Sequence, residues 1–244
     1  MEKQAYFDMA NAEEIHWWFS VRRQILQDRI RSMNLITKSK ILEIGCGTGG
    51  NLKMLSAFGI VDGIEPSAEG ASIAQQKAED HARVTRGAFP NDLPEDSGPF
   101  DLICLFDVLE HVDKDLEFLK SAHGVAKQGS RILISVPACP SMWSRHDEFL
   151  HHKRRYSKKT LSAVVEAAGF TIDRITHFNA ILFPLAYVAR CYDRVRDAKI
   201  ATGADVPAAP VNAAMKAVFQ MERPLLKRYN LPFGLSLLCV ATCP

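Results

Sequence analysis

Short apolar runs alternate with amphipathic stretches from residue 40 onward, and together they mark out the elements. Strands are predicted near 40–44, 60–65, 82–86, 101–106 and 130–136, with helices at 49–57, 67–79, 114–126 and 157–168. Alternation of this kind argues for a parallel sheet covered on both faces. Pro66-Ser67 is a helix entry and Gly169 a helix stop, so a sixth strand starts at Gly169-Phe170-Thr171-Ile172. Leu235 to Ala241 is the last strand-like run. Between these lies an insert with two helical patterns, 181–198 and 211–229, flanking the linker-like stretch Gly203 to Pro210. The first 39 residues read as helical, with Trp17, Trp18 and Phe19 followed by Arg22 and Arg23.

The densest signal is Ile41-Leu42-Glu43-Ile44-Gly45-Cys46-Gly47-Thr48-Gly49-Gly50, an apolar strand with one acid followed by a glycine-rich turn. The turn leads into a helix start at Asn51 to Leu55. Glycines at 45, 47 and 49 let the backbone approach a ligand, and free N–H groups at the helix start face whatever lies in the crook. Gly45, Gly47 and Gly50 also satisfy GxGxxG, a pattern shared with dinucleotide binders. Glu65 closes the second strand, where a carboxylate can accept both hydroxyls of a ribose. NAD and S-adenosylmethionine share that ribose.

The third segment, Phe100 to Val112 (FDLICLFDVLEHV), separates the two. With the glycine turn and Glu65 it resembles the class I S-adenosylmethionine-dependent methyltransferases over residues 40–178. The resemblance implies a Rossmann-like α/β fold: a seven-stranded, mostly parallel sheet ending in an antiparallel hairpin. Residues 1–39 then form an N-terminal helical cover and 40–244 the methyltransferase domain, with the insert at 180–230 as a helical cap. S-adenosylmethionine is the implied cofactor and S-adenosylhomocysteine the product. The methionine part falls to Glu43, Gly45, Cys46, Gly47, Gly49 and Asn51, and the ribose to Glu65. Pro66, Ala88 and Phe89 lie by the adenine, and Phe106, Asp107 and His111 follow the fourth strand. Many relatives carry an aspartate where Ala88 stands, so main-chain groups and Phe89 would hold the adenine here. Arg22, with Trp18 beside it, matches a pre-sheet arginine that pairs with the methionine carboxylate, a bidentate task suited to guanidinium.

Pro137 to Tyr156 follows the fifth strand on the carboxyl edge of the sheet, where ligands bind. It resembles a "P…WS…HD…H.RRY" string of bacterial methyltransferases that include the ubiquinone-type enzymes, through Trp143, His146, Asp147, His152, Arg154, Arg155 and Tyr156. Trp143, His146, Arg155 and Tyr156 are the candidate acceptor-binding residues. His111, His146, His152 and Tyr156 are the candidate catalytic groups, because a histidine with a pKa near ~6.5 can take a proton at neutral pH. His146, Asp147, His151 and His152 lack a helical pair with a third ligand, and no metal is expected.

Composition narrows the rest. A net charge of +2 and the absence of an Asp/Asn-Pro-Pro-Tyr/Phe string argue against nucleic acid as a partner. Six cysteines without a CxxC pair suit reduced thiols in the cytoplasm. The N-terminus has no signal-peptide core, and no apolar run is long enough to span a membrane. The expected protein is a cytoplasmic enzyme methylating O, N or C of a small, hydrophobic or ring-bearing metabolite. Apolar insert residues such as Phe183, Leu185 and Tyr187 suit such an acceptor. Two alternatives stay open. The basic residues Lys153, Arg154, Arg155, Lys158 and Lys159 could meet a lipid-linked or glycan acceptor at a membrane surface, which is less favoured. A cofactor-binding protein without turnover is the other. The acceptor and the oligomeric state are not written in the sequence.

Overall fold

A computed structural model describes residues 3–36, 38–188 and 205–244. The strands are β1 (Ser39–Ile44), β2 (Gly59–Glu65), β3 (Ala82–Arg86), β4 (Phe100–Phe106), β5 (Ala126–Pro137), β6 (Thr171–Phe178) and β7 (Ser236–Thr242). They form one sheet in the order β3-β2-β1-β4-β5-β7-β6. β1 to β5 run parallel, and β7 is antiparallel to both β5 and β6. This is the Rossmann-like sheet with a terminal antiparallel hairpin that the sequence implies.

The helices are α1 (Lys3–Ala12), α2 (Trp17–Arg31), α3 (Leu52–Ser56), α4 (Ala68–Ala78), α5 (Asp115–Gly124), α6 (Arg145–Phe149) and α7 (Lys158–Ala167), then α8 (183–188), α9 (Ala209–Gln220) and α10 (Glu222–Arg228). Successive strand residues serve opposite faces. Ile41, Leu102 and Leu133 join the core with Ile25 of α2 and Leu55 of α3. Leu42, Ile103 and Ile132 join the other core with Leu119 of α5 and Leu161 of α7. With both faces covered, a central strand such as β4 reads as an apolar run rather than an alternation.

Two elements differ from the expected ones. α3 starts late because the glycine turn takes up the residues through Asn51. The second insert pattern is not one helix but two, α9 and α10, divided at Met221. In a continuous helix the ring of Pro224 would meet the carbonyl of residue 220; at a new helix start it is tolerated. The first insert pattern is described only as far as α8, and the remainder of 181–198, with Gly203 and Ala204, lies outside the described residues.

α2 and the insert bind each other. Trp17 N–H donates to Asn212 Oδ1 (2.8 Å), Asn212 Nδ2 donates to the Ile15 carbonyl (2.8 Å), and Arg223 Nε pairs with Asp28 (2.9 Å). The Trp18 indole lies parallel to Phe178 and Phe219, with centroids 5.8 and 5.4 Å away. No helix among the described residues is long and apolar enough to cross a membrane.

Candidate active site

The parallel strands deliver their carboxyl ends to one edge, and β1 ends there in the glycine turn. Gly45 has φ +69°, and a Cβ on it would lie 2.7 Å from Val108 Cγ2. Glycine therefore lets this turn pack against the loop after β4. Glu65 accepts the Gly47 N–H through Oε2 (3.0 Å) and the Ser67 N–H through Oε1 (3.0 Å), tying the ends of β1 and β2 together. Glu43 is buried; its Oε1 accepts from Asn51 Nδ2 (2.8 Å), while Oε2 has no partner among the described residues. Burial, partly opposed by the Asn51 hydrogen bond and Arg22, pushes this carboxyl up to about 8. A buried carboxylate oxygen without a donor is costly. Beside a glycine cradle it fits the α-amino group of S-adenosylmethionine.

Arg22 reaches the same edge from α2. Its buried guanidinium pairs with Asp107, donates to Ser135 Oγ (3.1 Å) and lies over the Phe106 ring, 5.6 Å from the centroid. Trp18, expected beside it at the cofactor, instead belongs to the aromatic stack with Phe178 and Phe219; it fixes α2 and so aims Arg22. Burial, followed by the neighbouring Glu43, raises the Cys46 thiol, which stays protonated. Ala88 N–H donates to Asp92 Oδ2 (2.8 Å), Phe89 meets Phe118 edge-to-face at 5.4 Å, and Pro66 is exposed. Glu13, which the sequence does not single out, accepts from Thr48 Oγ1 (2.6 Å) and Lys77 Nζ (2.9 Å) and anchors the end of α1 to the glycine turn.

Beyond β5 the organising group is Asp147, which is fully buried. It accepts from Arg155 Nε (2.7 Å) and the Ser144 N–H (2.9 Å), and it bonds His152 Nδ1 (2.9 Å). With Nδ1–H donating to the carboxylate, His152 is left with Nε2 as an acceptor; this tautomer is assigned from the hydrogen-bond network. The rings of His111 and His152 meet edge-on at 4.9 Å. Glu110, His111 and His152 bring one oxygen or nitrogen each to within 4.8 Å of one another, an arrangement able to take a proton or a cation. Burial, and then the neighbouring His152, hold His111 down at about 4. Burial and then Asp107 keep the Glu110 carboxyl well above its ordinary range, and neither of its oxygens has a partner among the described residues. Trp143 and His146 are half-buried on the same loop, with Trp143 Nε1 donating to Glu148 Oε1 (3.4 Å).

Arg155 and Tyr156 depart from the expectation that they face the acceptor. Arg155 is 8% exposed, and besides Asp147 it donates to the Ala138 carbonyl (2.9 Å). Tyr156 is 2% exposed and donates to Asp115 Oδ2 (2.8 Å). Burial, reinforced by Asp115, raises its phenol, which stays protonated and donates to that carboxylate. Both side chains hold the loop from behind. Tyr156→Phe should therefore lower stability by about 1.5–3 kcal/mol, the usual loss for a hydrogen bond to a charged group. Urea unfolding measures that loss, while methyl transfer per folded molecule should stay unchanged.

The depressed His111 also sets a pH dependence. The folded protein keeps this ring neutral down to about 4, whereas the unfolded chain takes up the proton near 6.5. Stability present above pH 6.5 is therefore lost as the pH falls from there toward 4. Urea midpoints at pH 7 and pH 5 should differ less in His111→Gln than in the wild type. An equal difference would show that His111 does not carry the effect.

Residues 17–175, well over half of the chain, match a family described as a methyltransferase domain. A ubiquinone biosynthesis O-methyltransferase of Glaesserella parasuis is 27% identical over 144 residues, covering 56% of this chain. The match spans 60% of that relative's length. Among solved structures, geranyl diphosphate C-methyltransferase of Streptomyces coelicolor aligns with a TM-score of 0.60 at 16% identity, over 90% of this chain and 78% of that one. Phosphoethanolamine N-methyltransferase 2 of Haemonchus contortus gives 0.60 at 14% identity, over 91% of this chain and 52% of that one. These two likenesses concern the fold. The chain belongs to the methyltransferase-domain family.

Proposed function

We propose that the protein methylates a hydroxyl group of a small, ring-bearing or hydrophobic metabolite. The observation that carries this reading is the buried Asp147 holding His152 by Nδ1 beside His111. A hydroxyl acceptor must lose a proton on attack, and an oriented imidazole is the group that takes it. An amine already neutral, or a carboxylate already ionised, would need no such dyad. The O-methyltransferase relative supports the same choice.

S-adenosylmethionine, when bound, supplies an electrophilic methyl group on a sulfonium. Glu43 and the turn from Gly45 to Gly49 would hold its amino end, Arg22 and Asp107 the far side of the methionine part, and Glu65 the ribose. His152 accepts the acceptor's proton at Nε2, and His111, kept neutral, adds no competing positive charge beside it. We read α1 and α2 as a cover and the insert as a cap, which exclude water and align the reactants. Exposed Leu185 and Val188 on the insert, with Phe233 just after it, suit an apolar acceptor.

Incubation with methyl-labelled cofactor and a panel of phenols, catechols, alkyl alcohols and primary amines tests the reading. Label should enter oxygen. Label confined to nitrogen or carbon would refute the hydroxyl assignment, and turnover that vanishes with a chelator and returns with Mg²⁺ would give Glu110, His111 and His152 to a cation instead.

A further inference from the structure

A second concavity, of about 410 Å³, lies between the C-terminal half of α2 and α10, and it shares no residue with the site above. Its lining includes four cations, Arg29, Arg31, Arg223 and Lys227, and one acid, Asp28. Asp28 is divided among three of them: Arg223 Nε at 2.9 Å, Lys227 Nζ at 3.5 Å and Arg31 Nη1 at 3.8 Å. Arg29 donates to the Leu226 carbonyl (2.8 Å) and is attracted more weakly by Asp28. Arg174 crowds it from β6 by donating to that same carbonyl (2.8 Å). Burial first, and Arg174 second, lower the Arg29 pKa to about 10, so it is still charged at neutral pH. Positive charge thus exceeds negative in a concavity partly removed from water. Arg31 and Lys227, each 59% exposed at the side chain, can still turn toward a ligand.

We propose that this groove is a binding site for a phosphate-bearing anion, with Arg31 and Lys227 closing on its oxygens while Arg29 and Arg223 supply the fixed charge. Guanidinium groups give paired N–H donors that match phosphate oxygens, and a lysine adds a point charge. The phosphate could be free in solution or part of a lipid headgroup. Leu225 on α10, with Met221 and Tyr229 at the two ends of that helix, is exposed, and these apolar side chains would suit the second source.

The test uses the whole protein with two probes: sodium pyrophosphate, and vesicles of phosphatidylglycerol in phosphatidylcholine. Pyrophosphate should bind saturably by calorimetry and raise the thermal midpoint, beyond anything sodium chloride does at equal ionic strength. The double variant Arg31→Gln/Lys227→Gln removes two exposed charges and should keep its circular dichroism and its S-adenosylmethionine affinity. Its pyrophosphate affinity should fall about tenfold or more for each cation lost. Should the double variant misfold, Lys227→Gln alone carries the same comparison. Binding to vesicles but not to pyrophosphate, lost in the double variant, assigns the site to a lipid headgroup. Binding equal in wild type and variant, or no binding to either probe, overturns the proposal.

Discussion

Replacing Glu65 by alanine should weaken S-adenosylmethionine binding by about 10²–10⁴-fold. Two charge-assisted hydrogen bonds to the ribose would be lost, at about 1.5–3 kcal/mol each, with tenfold in affinity for every ~1.4 kcal/mol. A second loss adds to the first. Glu65 accepts the N–H groups of Gly47 and Ser67, so its removal also leaves two donors at the mouth of the glycine turn unsatisfied. Glu65→Gln separates the two effects, because its amide oxygen can still accept from one of those donors while the charge is gone. It should therefore bind more tightly than Glu65→Ala and less tightly than the wild type. Calorimetry on folded protein measures all three, and an unchanged affinity in Glu65→Ala would remove Glu65 from the ribose.

What the sequence made legible follows from how locally each feature is encoded. β1, its glycine turn and the β4 string are contiguous, so their apolar runs and turn residues stand together and predict the sheet edge. The break between α9 and α10 was equally local, but it depends on weighing Pro224 against an otherwise helical pattern. The burial of Arg155 and Tyr156 is not legible in the sequence because their orientation is decided at a distance. Asp115, which takes the Tyr156 hydroxyl, lies on α5, and Asp147, which takes Arg155, is turned inward by the α6 capping box. A loop rich in basic and aromatic residues looks like a ligand surface until those buried acids are in place. Trp18 is a similar case, since its ring partners come from β6 and α9.

The buried acids differ in a way that spacing cannot reveal. Asp147 is fully satisfied, whereas Glu43 and Glu110 are buried with oxygens that no described residue meets. Unsatisfied buried carboxyls are rare in a finished core and mark places where something else completes the set. Glu43 lies at the glycine turn and Glu110 between His111 and Asp107. The carboxyl edge therefore carries two incomplete positions, one suited to the cofactor's amino end and one beside His111 and His152. Glu110 stood in the FDLICLFDVLEHV string all along; its burial gives it meaning.

The acceptor side leads to the last expectation. His152→Ala should lower single-turnover methylation of a hydroxyl acceptor by about 10²–10⁴-fold, the usual worth of a positioned general base. Cofactor affinity should stay within about twofold of the wild type, because Glu43, the glycine turn, Glu65 and Arg22, which would hold most of the cofactor, lie on β1, β2 and α2 rather than on the loop after β5. Asp147→Asn tests the same step from behind. It keeps the shape but removes the charge that favours the Nδ1–H tautomer, and it weakens the anchor of Arg155, so both turnover and stability should fall. The two losses are told apart by expressing turnover per folded molecule, with the folded fraction taken from urea unfolding. Buffer imidazole should restore part of the lost turnover to His152→Ala but none to Asp147→Asn, whose own imidazole still fills the position. Full methylation by His152→Ala at saturating cofactor would put the base elsewhere, and His146, half-buried on the same loop, would be the next to replace.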